Sequence, residues 1–223
     1  MGATVRGLLD SLRPSAGEEE RSEWAAACAH ALGLGGIAVS LGRELLWFSD
    51  ATSARLEDLQ FVLGQGPSLR LRARSDVRQV PDLGRLLARQ WPQFAAEAEE
   101  LRIAALFVWP VHIGAVQAGT MTGYRRSPGP LTAQQLAEGW LLADALAGQV
   151  LKNWPATSAE HHHGHTGTVE LHRAEVHQAT GVISARLGVP LAEALDRLRS
   201  QAYASGRSLT DTAKAVIARE LPP

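Results

Sequence analysis

Apolar and polar positions change their spacing several times along the chain, and each change marks an element. From Glu18 the run "EEERSEWAAACAHAL" carries apolar residues at helical spacing and stops at Gly33, a residue suited to a left-handed helix end. Ser15 and Glu18 fit a capping box at its start. "GIAVSL" and "ELLWFSD" then alternate around Gly42 and Arg43, which predicts a hairpin. "SARLEDLQFVLG" returns to helical spacing, and "VRQVPDL" reads as a short strand closed by Pro81. "RQWPQFAAEAEELR" predicts another helix, and "IAALFVWPVHI" with "AVQAGTMTGYR" a second hairpin across Gly114. Thr132 and Gln135 form a second capping box that opens the helix "AQQLAEGWLLADALAGQVLKN". Two hairpins among irregularly spaced helices predict an α+β domain over residues 1–153, one antiparallel sheet with helices packed on it.

The stretch "WPATSAEHHHGHTGT" breaks this pattern with Pro, Gly, Ser, Thr and four His, and reads as a linker over residues 154–167. Only helical spacing follows, over residues 168–223. A first helix, Thr168 to Leu187, has Val176, Ala179, Ile183 and Leu187 on one face. Gly188 and Pro190 separate it from "LAEALDRLRSQAYAS", with a stripe of Leu191, Ala194, Leu195, Leu198 and Ala202. After Gly206, Ser208 and Asp211 open a third helix with Leu209, Ala213, Val216 and Ile217 as its apolar positions. The small residues in these seams allow close packing, in a bundle of marginal size.

With 45% hydrophobic residues in 223, the chain has ample material for a core. No run approaches the roughly 18 apolar residues of a membrane span. "MGATVRGLLDSLRPSAGEEE" holds too short an apolar stretch for a signal peptide. The one cysteine, Cys28, makes no internal disulfide and sits in a helix as a small buried residue. These features predict a cytoplasmic protein. The formal charge of −1 announces no nucleic-acid partner. From Val169 onward seven cations face six acids, a surplus of one.

"HQATGVISARLGVPLAEALDRLRSQAYASGRSLTDTAKAVIAREL" closely resembles the ANTAR domain, a three-helix RNA-binding module of bacterial transcription antiterminators. The resemblance spans nearly all of residues 170–221: Ala179, Gly181 and Ile183 in the first helix, "EALDRLRSQA" in the second, "SLTDTAKAVI" in the third. It implies a dimer that acts on paired RNA hairpins in nascent transcripts and stops a terminator from forming. The region before it resembles a GAF domain through "FVLGQGPSL", "VPDL", "RQWPQF" and "WPVHIG". That resemblance implies a sensory module with a pocket on one sheet face, or a dimerisation unit. Ser68 stands where many relatives have Cys, and no bilin-attachment Cys or cyclic-nucleotide signature is present, so no cofactor is assigned.

RNA-reading modules grip unpaired bases by stacking and short polar contacts, with Arg on phosphates. The tail offers Gln178 and Thr180 on its first helix and Arg199 and Tyr203 on its second. Arg207, Ser208 and Thr210 lie at the third helix's start, where free amides favour a phosphate, and Lys214 follows one turn on. Blander roles compete: Glu193 and Arg197 are spaced for an ion pair, Ser208 for a cap, Tyr203 for closing the core. Trp47, Phe61, Phe94, Phe107, Trp109 and Met121 are the pocket candidates, with core packing as their alternative. His161, His162, His163 and His165 are metal-ligating types in a Gly-rich linker that fixes no geometry, so no metal site is expected. His172 and His177 share no helix face, Asp144 has no partner carboxylate, and Ser68 lacks a nucleophile elbow. No catalysis is expected. Two rivals to an RNA-binding antitermination regulator remain: a signalling protein whose tail helices pair with a protein and never meet RNA, and a helix-turn-helix DNA binder, for which "SLTDTAK" supplies one cation.

Overall fold

The computed structural model describes residues 5–11, 18–41, 44–70, 77–86, 90–153 and 173–219. Its contacts divide the chain into two compact units, Met1–Glu170 and Leu171–Pro223. The expected Ser15 cap, the Gly42–Arg43 turn and the histidine-rich linker lie outside the described residues.

In the first unit the order is α1 (Val5–Ser11), α2 (Glu18–Ala31), β1 (Gly36–Leu41), β2 (Glu44–Phe48), α3 (Ala51–Leu63), a 3-10 turn at Ser68–Arg70, β3 (Arg78–Val80), α4 (Leu83–Leu86), α5 (Pro92–Glu100), β4 (Ala105–Ile113), β5 (Val116–Arg125) and α6 (Ala133–Asn153). The strands form one antiparallel sheet in the order β2-β1-β5-β4-β3. The unit is α+β, with both hairpins where the alternating pattern puts them.

Local chemistry sets the ends of these elements. The Gly33 amide donates to the His30 carbonyl and the Leu34 amide to that of Ala29, with Gly33 at φ 65°, which terminates α2 in a Schellman turn. Thr132 and Gln135 exchange the two bonds of a capping box at 3.0 and 3.2 Å. At α3 the helix begins two residues before the expected Ser53, because Asp50 and Ser53 make a capping box of their own. Helix α1 has no counterpart in the sequence reading; Trp24 of α2 donates its indole N–H to the Leu8 carbonyl at 2.7 Å and ties it down.

Strand alternation divides the core in two. Ile37, Val39, Leu41, Phe107, Trp109, Val111 and Met121 pack with α1, α2 and α6. Leu106, Tyr124 and Val80 face the other way, against Leu56 and Leu59 of α3 and Phe94 and Ala98 of α5. The pocket candidates do not share one face of the sheet. Phe107, Trp109 and Met121 are 0% exposed in the first cluster, with Trp47 packed at its edge; Phe94 is 0% exposed in the second, and Phe61 is buried in neither. Pleating sends alternate residues to opposite faces, so aromatic content alone does not assemble a cavity.

Along α6, Ala143 and Ala147 are buried, Leu136 and Trp140 are partly buried against the first cluster, and Trp24 of α2 is 8% exposed. Cys28 is buried in the same cluster, and burial pushes its thiol up to about 12, so it stays protonated and inert at neutral pH.

Two glycines of α6 give a paired test. A Cβ on Gly139 runs into the Trp109 indole, whereas one on Gly148 meets nothing within 4 Å. Gly139→Ala therefore destabilises by about 1–3 kcal/mol through overpacking. Gly148→Ala stabilises by about 0.5–1 kcal/mol through helix propensity. Urea denaturation of both variants checks the signs.

Candidate nucleic-acid interface

The second unit is a three-helix bundle of α7 (Ala174–Leu187), α8 (Leu191–Ser205) and α9 (Leu209–Ile217). Its core is small: Val176, Ala179 and Ile183 meet Ala194, Leu195, Leu198 and Ala202, and Leu209, Ala213, Ala215 and Val216. Two left-handed glycines close the first two helices, Gly188 at φ 66° and Gly206 at φ 64°. Leu187 and Leu191 do not join the expected stripes. They are 40% and 62% exposed, because they flank the α7–α8 turn beyond the last layer in which helices face each other.

The candidate side chains divide by what they touch. Gln178 is exposed on α7, in an outer face of small residues, Ala174, Gly181 and Ala185. Thr180 is turned inward: it is 6% exposed and donates to the Val176 carbonyl at 2.6 Å, so it offers no group to a ligand. Such back-bonding is one that a threonine inside a helix readily adopts. On α8, Arg199 reaches the Asp196 carboxylate at 2.8 Å and its side chain is only 18% exposed. Arg197 pairs with Glu193 at 2.8 Å, as its spacing predicts, with both partners about half exposed, where such a pair contributes little. Tyr203, by contrast, is 77% exposed; it does not close the core.

Around the α8–α9 turn, Arg207, Thr210 and Lys214 are exposed. Ser208 has a structural task. Its hydroxyl accepts from the Asp211 amide at 3.0 Å and donates to the Asp211 carboxylate at 2.7 Å. Asp211 thereby puts a negative charge on the end of α9 that was read as a phosphate seat, which lowers its attraction for a second anion. Arg186, exposed in the last turn of α7, was missed by sequence reasoning, although a cation at a helix C-terminus is a readable signal.

Residues 171–217 match the ANTAR domain family model. Among curated proteins none matches the chain in sequence. Solved structures similar to the chain include the GAF domain from Acinetobacter phosphoenolpyruvate-protein phosphotransferase, at 11% identity and TM-score 0.47, covering 70% of this chain and 93% of that one. Another is the phycocyanobilin-bound GAF domain from a cyanobacterial phytochrome, at 12% identity and TM-score 0.45, covering 73% of this chain and 100% of that one. Among the described residues no helix is long and apolar enough to cross a membrane, and no group of three His, Cys, Asp or Glu converges to hold a metal.

Thus the ANTAR segment presents Gln178, Tyr203, Arg207, Thr210 and Lys214 to solvent, while Thr180, Arg199 and Ser208 are engaged within the bundle. Its stability rests on few contacts. Leu195, 1% exposed, is central: Leu195→Ala should cost about 2–5 kcal/mol and unfold the bundle. Ser208→Ala should cost about 1 kcal/mol through loss of the cap. Circular dichroism melts of the two variants rank them.

Proposed function

We propose that this chain is a transcription regulator that binds RNA hairpins in nascent transcripts through its ANTAR segment and promotes antitermination. In this reading it is a cytoplasmic, non-enzymatic protein, and the first unit senses a small molecule or joins two copies. The observation that carries it is Tyr203, a large ring 77% exposed four residues before the exposed Arg207. An aromatic ring held out in water, with an exposed cation four residues further along the chain, suits an unpaired base and its phosphate.

From Val169 onward the tail holds seven cations and six acids, a surplus of one. The α8 acids Glu193 and Asp196 are matched by Arg197 and Arg199, so the surplus resides on the other helices and turns. Self-association is part of the proposal; Leu141, 41% exposed on α6, is a large apolar side chain that the helix leaves in solvent. Light scattering that gives a monomer at micromolar concentration, with and without RNA, removes that part.

One observation favours the rival reading, in which the tail pairs with a protein. Leu187 and Leu191 present apolar surface at the α7–α8 turn. Titrating fluorescent paired-hairpin RNA at several salt concentrations separates the two. Tyr203→Ala should cost about 1–3 kcal/mol of RNA affinity. Arg207→Ala and Lys214→Ala should each flatten the salt dependence by at most roughly one unit of slope and leave the fold intact. If folded wild-type protein ignores such RNA while a protein partner is lost on Tyr203→Ala, the antiterminator reading fails.

A further inference from the structure

The three helices of the second unit close in the same backbone conformation but not on the same residue. Gly188 follows α7 at φ 66° and Gly206 follows α8 at φ 64°. Beyond α9 the left-handed position falls on Arg219, at φ 63°, with its amide donating to the Val216 carbonyl at 3.2 Å. Glycine adopts this conformation without steric penalty, whereas a residue with a Cβ crowds the carbonyl oxygen that follows it. Among the described residues of this unit, Arg219 is the only one other than glycine with a positive φ. The two sister helices make the same turn without that strain.

The fold itself gives Arg219 no task that requires this place. A cation past a helix end can face the negative pole of the helix dipole, but on α9 Lys214 already does so from the last turn, in unstrained helical backbone. Arg186 does the same on α7. The Arg219 guanidinium makes no hydrogen bond or ion pair among the described residues, so it closes none of the last carbonyls of α9. Of the described acids in the unit, Glu193 and Asp196 are held by Arg197 and Arg199, Asp211 by Ser208, and Glu175 sits in the first turn of α7. What remains is an exposed, unpaired guanidinium at a position where glycine fits better. Strain held at an exposed charged residue points to a role outside the fold.

We propose that Arg219 is a further phosphate-binding residue of the second unit, gripping the backbone of the bound hairpin RNA beyond the end of α9. The proposal rests on the reading of the ANTAR segment as RNA-binding, and it adds a contact outside residues 171–217, which the family model matches. A guanidinium offers a phosphate two parallel N–H groups and reads no base. Arg219 therefore contributes affinity and salt dependence, and leaves the choice of sequence to other side chains.

The experiment uses the full chain as wild type, Arg219→Gly, Arg219→Asn and Arg219→Lys. Arg102→Gly is the control, because Arg102 is an exposed arginine at φ 57° after α5 in the first unit. Fluorescent paired-hairpin RNA is titrated at several salt concentrations, and each variant is melted by circular dichroism. Arg219→Gly should melt a few degrees above wild type, because the strain is relieved. Its RNA affinity should nevertheless fall about threefold or more at low salt, with the salt slope reduced by at most roughly one unit. Arg219→Asn, uncharged and tolerant of the left-handed conformation, should lose affinity in the same way, and Arg219→Lys should keep the slope. Arg102→Gly should melt higher and bind RNA as wild type does. Equal affinity and slope for wild type, Arg219→Gly and Arg219→Asn overturns the contact and leaves the RNA reading standing. So does a loss of affinity without a change of slope, or an equal loss in Arg102→Gly. A lower melting temperature for Arg219→Gly with RNA binding unchanged assigns Arg219 to holding α9, and the proposal falls. Folded wild type that ignores the RNA refutes the RNA reading itself, and this contact with it.

Discussion

The antiparallel pairing of β1, β5 and β4 fixes everything else in the first unit. Gly119 on β5 lies against the Ser40 backbone, and a Cβ there would collide with the Ser40 carbonyl oxygen, so β1 and β5 approach in this manner only with glycine at that position. Along β4, residues from Ala105 to Val111 are buried on both faces, so pleating alone decides which core each joins. A slip of one residue would carry Trp109 and Phe107 to the α3 side and bring Thr122 under α6. The register therefore does two jobs. It builds an apolar core against α2 and α6, and it gathers hydroxyls beneath α3.

That division explains what was legible in the sequence and what was not. Caps and turns act locally, so Thr132 with Gln135, Gly33, Gly188 and Gly206 were readable from residue type and spacing. The ANTAR segment was readable through its resemblance to that family, since residue type and spacing agree with it across all three helices. Side-chain destinations were less so. Glu57 and Gln60 look like the solvent face of a helix until α3 is placed on Ser40, and Thr180 looks like a surface group until its hydroxyl folds back on Val176. On α6 periodicity identifies an apolar face and not what covers it. Helix α1 is held mainly by tertiary contact, a Trp24 bond and packing against α6, which a seven-residue segment does not advertise.

In the second unit, the same economy of side chains limits what the surface can do. Alanine and glycine let three short helices pack closely, yet each buries little area, so the caps matter more than in a larger domain. Ser208 and Asp211 are committed to holding α9, and Glu193, Arg197, Asp196 and Arg199 largely neutralise one another along α8. Few cations are left for phosphates. In the proposed function, RNA affinity then depends less on counterion release than is usual for nucleic-acid binders. Discrimination falls to Tyr203 and to the short polar groups Gln178 and Thr210, which can meet base edges and rings where loops leave them unpaired. A weakly charged surface of this kind is poor at holding duplex RNA without regard to sequence. Under the proposed function, such a surface suits a regulator that must ignore most transcripts.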